Sequence, residues 1–341
     1  MKKLILISSL IFSLLSCSKD ENPIVQTIVP DLSGGVIVLN EGSFQGNNAS
    51  LTYRSPSGEV SQDLFDRVNG RKLGDILHSA SIIDGQLFLV INNSQKIEAL
   101  NPSNLKSVDV IEGFRSPRFI VKLAQGQNAW VSNFKLDGGE NEIDIVNLNN
   151  HEKIGAIQVQ GWCEQMLQVG NKLYIANTGS DQLIVAENGS LRYLKTPPQP
   201  TDMIVDADGI IWLLCSGGFQ ENQAALCKVD PETEQIIDTL RFKNSMAFPS
   251  KLATDSEKKR MYFFENGLYS MSIYDQAIPE APFIAANGSF YGLGIAPNTG
   301  NIFIGDAVDY SSKGKVHIYD ANGVFIESFD AGYLPNGFLF R

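Results

Sequence analysis

Histidine is scarce in this chain, with three copies, and the 27 lysines and arginines are outnumbered by 38 aspartates and glutamates. His78 lies where a strand begins, His151 in an asparagine-rich turn and His317 within an alternating strand. Three unrelated places imply no histidine-metal cluster and no Ser-His-Asp set. Ser216-Gly217-Gly218 lacks the flanks of a nucleophile elbow. The formal net charge of −11 comes without any basic cluster, which argues against nucleic acid or anionic lipid as ligand. Long apolar runs are missing too: Leu4 to Leu15 is a short apolar stretch, too short to span a bilayer. No segment repeats its apolar residues at i, i+3 and i+4, so amphipathic helices are not expected. Of four cysteines, Cys163, Cys215 and Cys227 remain beyond the N-terminal region. An odd number precludes a complete disulfide framework. A Cys215–Cys227 bridge between successive strands stays open, and small buried thiols are the expected state.

What the chain has is a repeat. Ile82-Ile83-Asp84-Gly85-Gln86-Leu87-Phe88-Leu89-Val90-Ile91-Asn92-Asn93 reads as a strand, an Asp-Gly turn, an apolar strand with an aromatic, and a polar break opening on asparagine. The plan returns around Trp130, Tyr174, Trp212, Tyr262 and Phe303, at steps of 42, 44, 38, 50 and 41 residues. A period of roughly 40–45 residues holding four strand-like runs marks a propeller blade. The expected fold is therefore all-β, a seven-bladed β-propeller. Blade one starts at Val36 and runs through Ala49 to Arg54 and Glu59 to Phe65. The others cover about 73–113, 114–161, 162–199, 200–244, 245–287 and 288–334. Blade one has no preceding strand, and Gly337-Phe338-Leu339-Phe340 has nothing left to pair with. The tail is therefore expected to close the ring as the missing strand, removing exposed sheet edges.

Residues 1–16 read as a signal segment, with Lys2 and Lys3 before a short apolar stretch. Leu14-Leu15-Ser16-Cys17 resembles a bacterial lipobox, which makes Cys17 the expected lipid anchor to the outer membrane; two or three acyl chains hold stably where one is marginal. Cys17-Ser18-Lys19-Asp20-Glu21 resembles the surface-export signal of Bacteroides-type lipoproteins. Residues 17–33 are then a lipidated tether and 34–341 the propeller.

Each blade of a propeller shows two loop types on one face: the loop after its second strand and the one leading in from the preceding blade. The repeat places Asn40, Phe44, Arg71, Asn92, Phe114, Arg118, Phe134, Trp162, Phe219, Phe248, Tyr291 and Tyr310 in these loops. Loops favour small polar residues, so this many rings point to a binding surface. It suits a large, rigid, partly apolar ligand whose rim the asparagines would hydrogen-bond. Asp137 to Glu142 and Asp306 to Asp309 hold carboxylates of the kind Ca²⁺ takes, but neither fits a complete loop signature, and solvated acidic turns are expected.

Val38-Leu39-Asn40-Glu41-Gly42-Ser43-Phe44, Asn47-Asn48-Ala49-Ser50-Leu51, Val68-Asn69-Gly70-Arg71-Lys72-Leu73-Gly74-Asp75 and Val90-Ile91-Asn92-Asn93-Ser94 resemble the BtuG group of YncE-like propellers. These are surface lipoproteins of Bacteroides-type bacteria that capture cobalamin and cap its TonB-dependent transporter. The resemblance is specific mainly in blades one and two. It implies a cell-surface protein without catalysis or catalytic cofactor, holding cobalamin or a related corrinoid by shape and hydrogen bonds. Two other readings stay open: an adhesion or scaffold propeller binding protein or glycan, and a propeller hydrolase with a central Ca²⁺.

Overall fold

The computed structural model describes residues 30–124, 126–134, 141–218 and 223–341. They form seven four-stranded antiparallel sheets, each one blade. In blade two, Leu77–Ile83, Gln86–Ile91, Lys96–Leu100 and Ser107–Ile111 run in order from the axis outward. The turn between the first two strands puts Asp84 at φ 49° and Gly85 at φ 77°, the left-handed pair of a type I′ hairpin that matches the twist of its strands. Blades three to seven repeat the order.

Blade one closes the ring as the sequence indicated. Pro335–Phe340 pairs antiparallel with Val36–Asn40, Val38 opposite Phe338 and Val36 opposite Phe340. The last described strand thus becomes the axial strand of the first blade, and the first and last strands of the propeller are stitched together.

Packing explains the period. The buried apolar residues fall into seven clusters that follow the blade-to-blade interfaces. Phe88, Trp130, Tyr174, Trp212, Tyr262 and Phe303, the residues that gave the repeat, each lie on a second strand and are buried in one of those clusters. A sheet buried on both faces must present apolar side chains on both, which is why the second strands read as unbroken apolar runs rather than alternating ones. Trp212 shows how a polar handle is accommodated: its indole Nε1 donates to Asp206 Oδ2 at 2.8 Å, while Asp206 Oδ1 accepts from the amides of Asp208 and Ile210.

Blade one departs from the reading in one place. Glu59 to Phe65 does not continue as strand; Val60–Ser61 pairs briefly with Arg54 and Tyr53. Asp63 then turns left-handed at φ 55°, and Leu64–Asn69 forms a short helix closed by Gly70 at φ 66°. The helix serves as a plug, burying Leu64 and Phe65 in the cluster shared by blades one and two. Among the described residues, no helix is long and apolar enough to cross a membrane. Cys163, Cys215 and Cys227 are buried and free. Cys17 lies outside the described residues.

Candidate functional site

One face of the disc is organised by backbone hydrogen bonds between the two loop types. The residue following a second strand donates to the loop leading into the same blade: Asn92 to Ile76, Phe134 to Ser116, Thr178 to Trp162, Ser216 to Gln199 and Ala307 to Ser289. The side chains at the ends of the second strands tighten the lacing. Asn40, fully buried, donates to Ser50 and Thr52 and accepts from Gly332 N–H. Asn92 donates to Ser116 Oγ and the Pro117 carbonyl. Asn133 Oδ1 accepts from the amides of Arg115 and Ser116, and Asn177 donates to the Gln160 carbonyl. The expectation that these asparagines face a ligand is therefore corrected: Asn40 and Asn92 spend their amides fastening loops, because a buried backbone polar group needs a partner.

The expected rings separate in the same way. Phe114 is 3% exposed and lies in the cluster between blades two and three, so it is core. Arg71 does not reach the axis either. It forms a two-pronged pair with Glu98 at 2.7 and 2.8 Å, touches Ser107 Oγ on the outermost strand of blade two, and stacks over Phe65. Four rings do stand out into solvent: Phe44 is 70% exposed, Tyr310 57%, Trp162 50% and Phe248 42%. Phe134 is buried, 5.8 Å from the Trp162 ring and under the Arg118 guanidinium. Tyr291 meets Tyr310 edge-on at 6.0 Å and donates its hydroxyl to Glu41 Oε2. Phe219 lies outside the described residues.

The Phe44 loop is built rather than loose. Ser43 N–H donates to Asn48 Oδ1 and Gln45 N–H to Asp75 Oδ2. Gly42 sits at φ 87°, where a Cβ would stand 2.6 Å from the Ala49 amide. Only glycine tolerates that combination.

A further group became visible only in three dimensions. In every blade the register of the axial strand slips near its start on this face, a β-bulge of the kind that re-aims a side chain. The slipped positions carry His78, Arg118, Glu164, Thr201, Lys251, Tyr291 and Asn336. All but Tyr291 line, together with Asp202, a funnel of about 410 Å³ on the propeller axis. A second cavity of about 540 Å³ adjoins it at Thr178, walled by Trp162, Pro198 and Gln199.

The funnel is charged and ordered. Arg118 grips Glu164 through Nε at 2.9 Å and Nη2 at 2.7 Å. Burial opposes ionisation of Glu164, but Arg118 and His78 outweigh it and hold its carboxyl down at about 2. The His78 imidazole is held below its usual range by burial and by Arg118, against the pull of Glu164. Asp202 is pushed up by burial and by Glu164, with Lys251 opposing. Asn336 donates to Glu41 Oε2 and to the carbonyls of Leu77 and His78.

The carboxylates weighed for Ca²⁺ have other duties. Asp306 accepts from the amides of Ser289 and Val308 and lies 3.1 Å from His317 Nε2; Asp309 caps Ser311 and Ser312. Of Asp137 to Glu142, only Asn141 and Glu142 lie within the described residues. Among those residues, no three His, Cys, Asp or Glu side chains gather as a metal site.

Comparison with known proteins places the fold. The chain is similar to a quinonprotein alcohol dehydrogenase-like protein of Bacteroides thetaiotaomicron at 16% identity and TM-score 0.68, covering 91% of this chain and 79% of that one. It is similar to a candidate 6-phosphogluconolactonase of Bacteroides fragilis at 13% identity and TM-score 0.68, covering 90% and 98%. A functionally unknown protein of Desulfotomaculum acetoxidans matches at 12% identity and TM-score 0.66, covering 90% and 99%. At such identities the likeness carries the propeller and not the chemistry. No curated protein matches the chain. The DUF5074 family, a domain of unknown function, matches residues 34–341, the whole propeller, and this chain belongs to it.

Proposed function

We propose that this propeller captures cobalamin, or a related corrinoid, at the cell surface and hands it to a TonB-dependent outer-membrane transporter, with the Cys17 lipid holding it to the outer membrane. The observation that carries this reading is the loop face itself: exposed rings from four separate stretches, Phe44, Trp162, Phe248 and Tyr310, on the face where the polar funnel opens. Enzymes that take small substrates enclose them, whereas an open face with rings standing clear of it suits a broad, flat ligand with a polar fringe. A rigid ring of blades loses little freedom on binding, so many modest contacts add up to high affinity. The resemblance of the Asn40–Phe44 and Val68–Asp75 stretches to cobalamin-capturing propellers supplies the ligand class. Calorimetric titration with cyanocobalamin tests it. Saturable heat at micromolar concentration or below is expected, weakened in Trp162→Ala and in Phe44→Ala. No heat would end the corrinoid reading, and glycan-array binding alongside that null would move the face to adhesion.

A further inference from the structure

The residues at the mouth of the funnel are of mixed charge, and their pairing is uneven. Arg118 and Glu164 satisfy each other. Lys251 does not have such a partner: its Nζ reaches Asn336 Oδ1 only at 3.4 Å, lies 5.9 Å from the Tyr291 ring centroid, and makes no ion pair within 4.0 Å among the described residues. Its backbone is in the left-handed region at φ 57°, uncommon for a non-glycine residue. Asp202 lines the same funnel, close enough for the Lys251 charge to favour its ionised form, and makes no ion pair within 4.0 Å among the described residues. His78 Nε2 is buried without a well-formed hydrogen bond, 3.5 Å from Glu164.

The mouth thus holds a cation and a carboxyl that make no ion pair within 4.0 Å among the described residues, and a buried imidazole nitrogen without a hydrogen-bond partner. An incoming anion would meet Lys251 but also Glu164, Asp202 and Glu41. An incoming cation would meet Asp202 but also Arg118 and Lys251. A neutral group that both accepts and donates answers the pair at once: its oxygen takes a hydrogen bond from the Lys251 ammonium while its NH₂ gives one to Asp202. A primary carboxamide has that pattern, whereas the corresponding carboxylate only accepts and the corresponding ammonium only donates. We propose that the funnel mouth is a primary-carboxamide subsite, in which Lys251 and Asp202 read a side-chain amide of the ligand and reject the hydrolysed acid. This rests on the corrinoid reading for the identity of the ligand, whose ring is fringed with such amides, but not for the chemistry of the subsite. A polar site built for one hydrogen-bond pattern rejects analogues strongly, because its own groups are left unpaired.

The test has two arms. In the first, propionamide, propionate and propylammonium are titrated into the folded protein, and backbone amide shifts are followed by NMR at residues 77–79, 201–203 and 250–252. Propionamide should perturb these positions saturably and bind about tenfold or more tighter than either ion, a difference of about 1.4 kcal/mol. Lys251→Met and Asp202→Asn should each erase the preference, and two variants guard against one of them misfolding. Equal or tighter binding of propionate or propylammonium, or no shift at these positions with any probe, would overturn the proposal. In the second arm, cyanocobalamin is compared with its monocarboxylic acids. At least one acid should bind about tenfold or more weaker to the wild type and nearly equally to Lys251→Met; equal binding of all the acids to the wild type would overturn the assignment of the amide. If cyanocobalamin itself does not bind, the functional reading falls, and the propionamide arm still decides the subsite.

Discussion

Replacing Arg118 with methionine should convert the funnel from an acid-sensitive element into an acid-relieved one. In the native protein Glu164 titrates at about 2 against an ordinary 4.5. At 1.36 kcal/mol per unit this depression contributes about 3 kcal/mol of stability. The side chain is only 15% exposed, so solvent screening takes little of that away. A depressed carboxyl binds fewer protons folded than unfolded, so the contribution is complete above pH 4.5 and is lost as pH falls toward 2. Methionine keeps much of the aliphatic stem and deletes the guanidinium that lies over Phe134 and grips Glu164. Glu164 is then a buried carboxylate with only His78 beside it, a loss of about 3–5 kcal/mol at neutral pH. Burial now dominates its titration and raises its pKa, so acid neutralises the charge and relieves the penalty. Urea unfolding of both proteins at pH 7, 5 and 3.5 should show a gap that is widest at pH 7 and shrinks at each step down. A gap below about 1 kcal/mol at pH 7, or one of constant size across the three, would refute the reasoning.

Other outcomes follow from the same geometry. Deleting residues 335–341 removes the axial strand of blade one and should abolish cooperative unfolding; a truncated protein with the wild-type urea midpoint would contradict ring closure by the tail. Asp206→Ala strands the buried Trp212 indole N–H together with two turn amides, and should cost about 2–3 kcal/mol by thermal or urea unfolding. Phe114→Ala and Trp162→Ala should diverge. The first empties a core site and costs about 3–5 kcal/mol. The second, at a half-exposed ring, should stay within about 1 kcal/mol in stability while losing ligand affinity.

The fold was legible because a blade cannot bury its faces alone. Stacking demands an aromatic or large apolar residue at the same place in every second strand, and Phe88, Trp130, Tyr174, Trp212, Tyr262 and Phe303 carry that demand openly. The unpaired Phe338 run at the C-terminus was legible for the same reason. The site was harder to read. Asn40 and Asn92 looked like ligand contacts because an asparagine that fastens a loop and one that faces solvent are the same letter. Phe114 and Arg71 were misjudged because the loop leading into a blade dips into the core and can also run outward to the rim. Glu164, Asp202 and Lys251 went unseen, and His78 was noted only as one of three scattered histidines, because a β-bulge gives the axial positions a common place but no common chemistry. A signal did exist: these residues fall ten or eleven positions ahead of the central aromatic of their own blade, and Arg118 and Tyr291, which were singled out, fall twelve ahead of theirs. The helix at Leu64–Asn69 escaped because Asp63 turns left-handed where the pattern of blade one still reads as strand.

The central claim is that the face carrying the exposed rings and the funnel is where a corrinoid sits. Amide hydrogen exchange with and without saturating cyanocobalamin tests it most directly. The account predicts slowed exchange in 42–48, 178–181, 250–252 and 306–310, with the outermost strands Ser107–Ile111 and Gln235–Arg241 unchanged. Protection confined to those outer strands, or no protection at all, would contradict it.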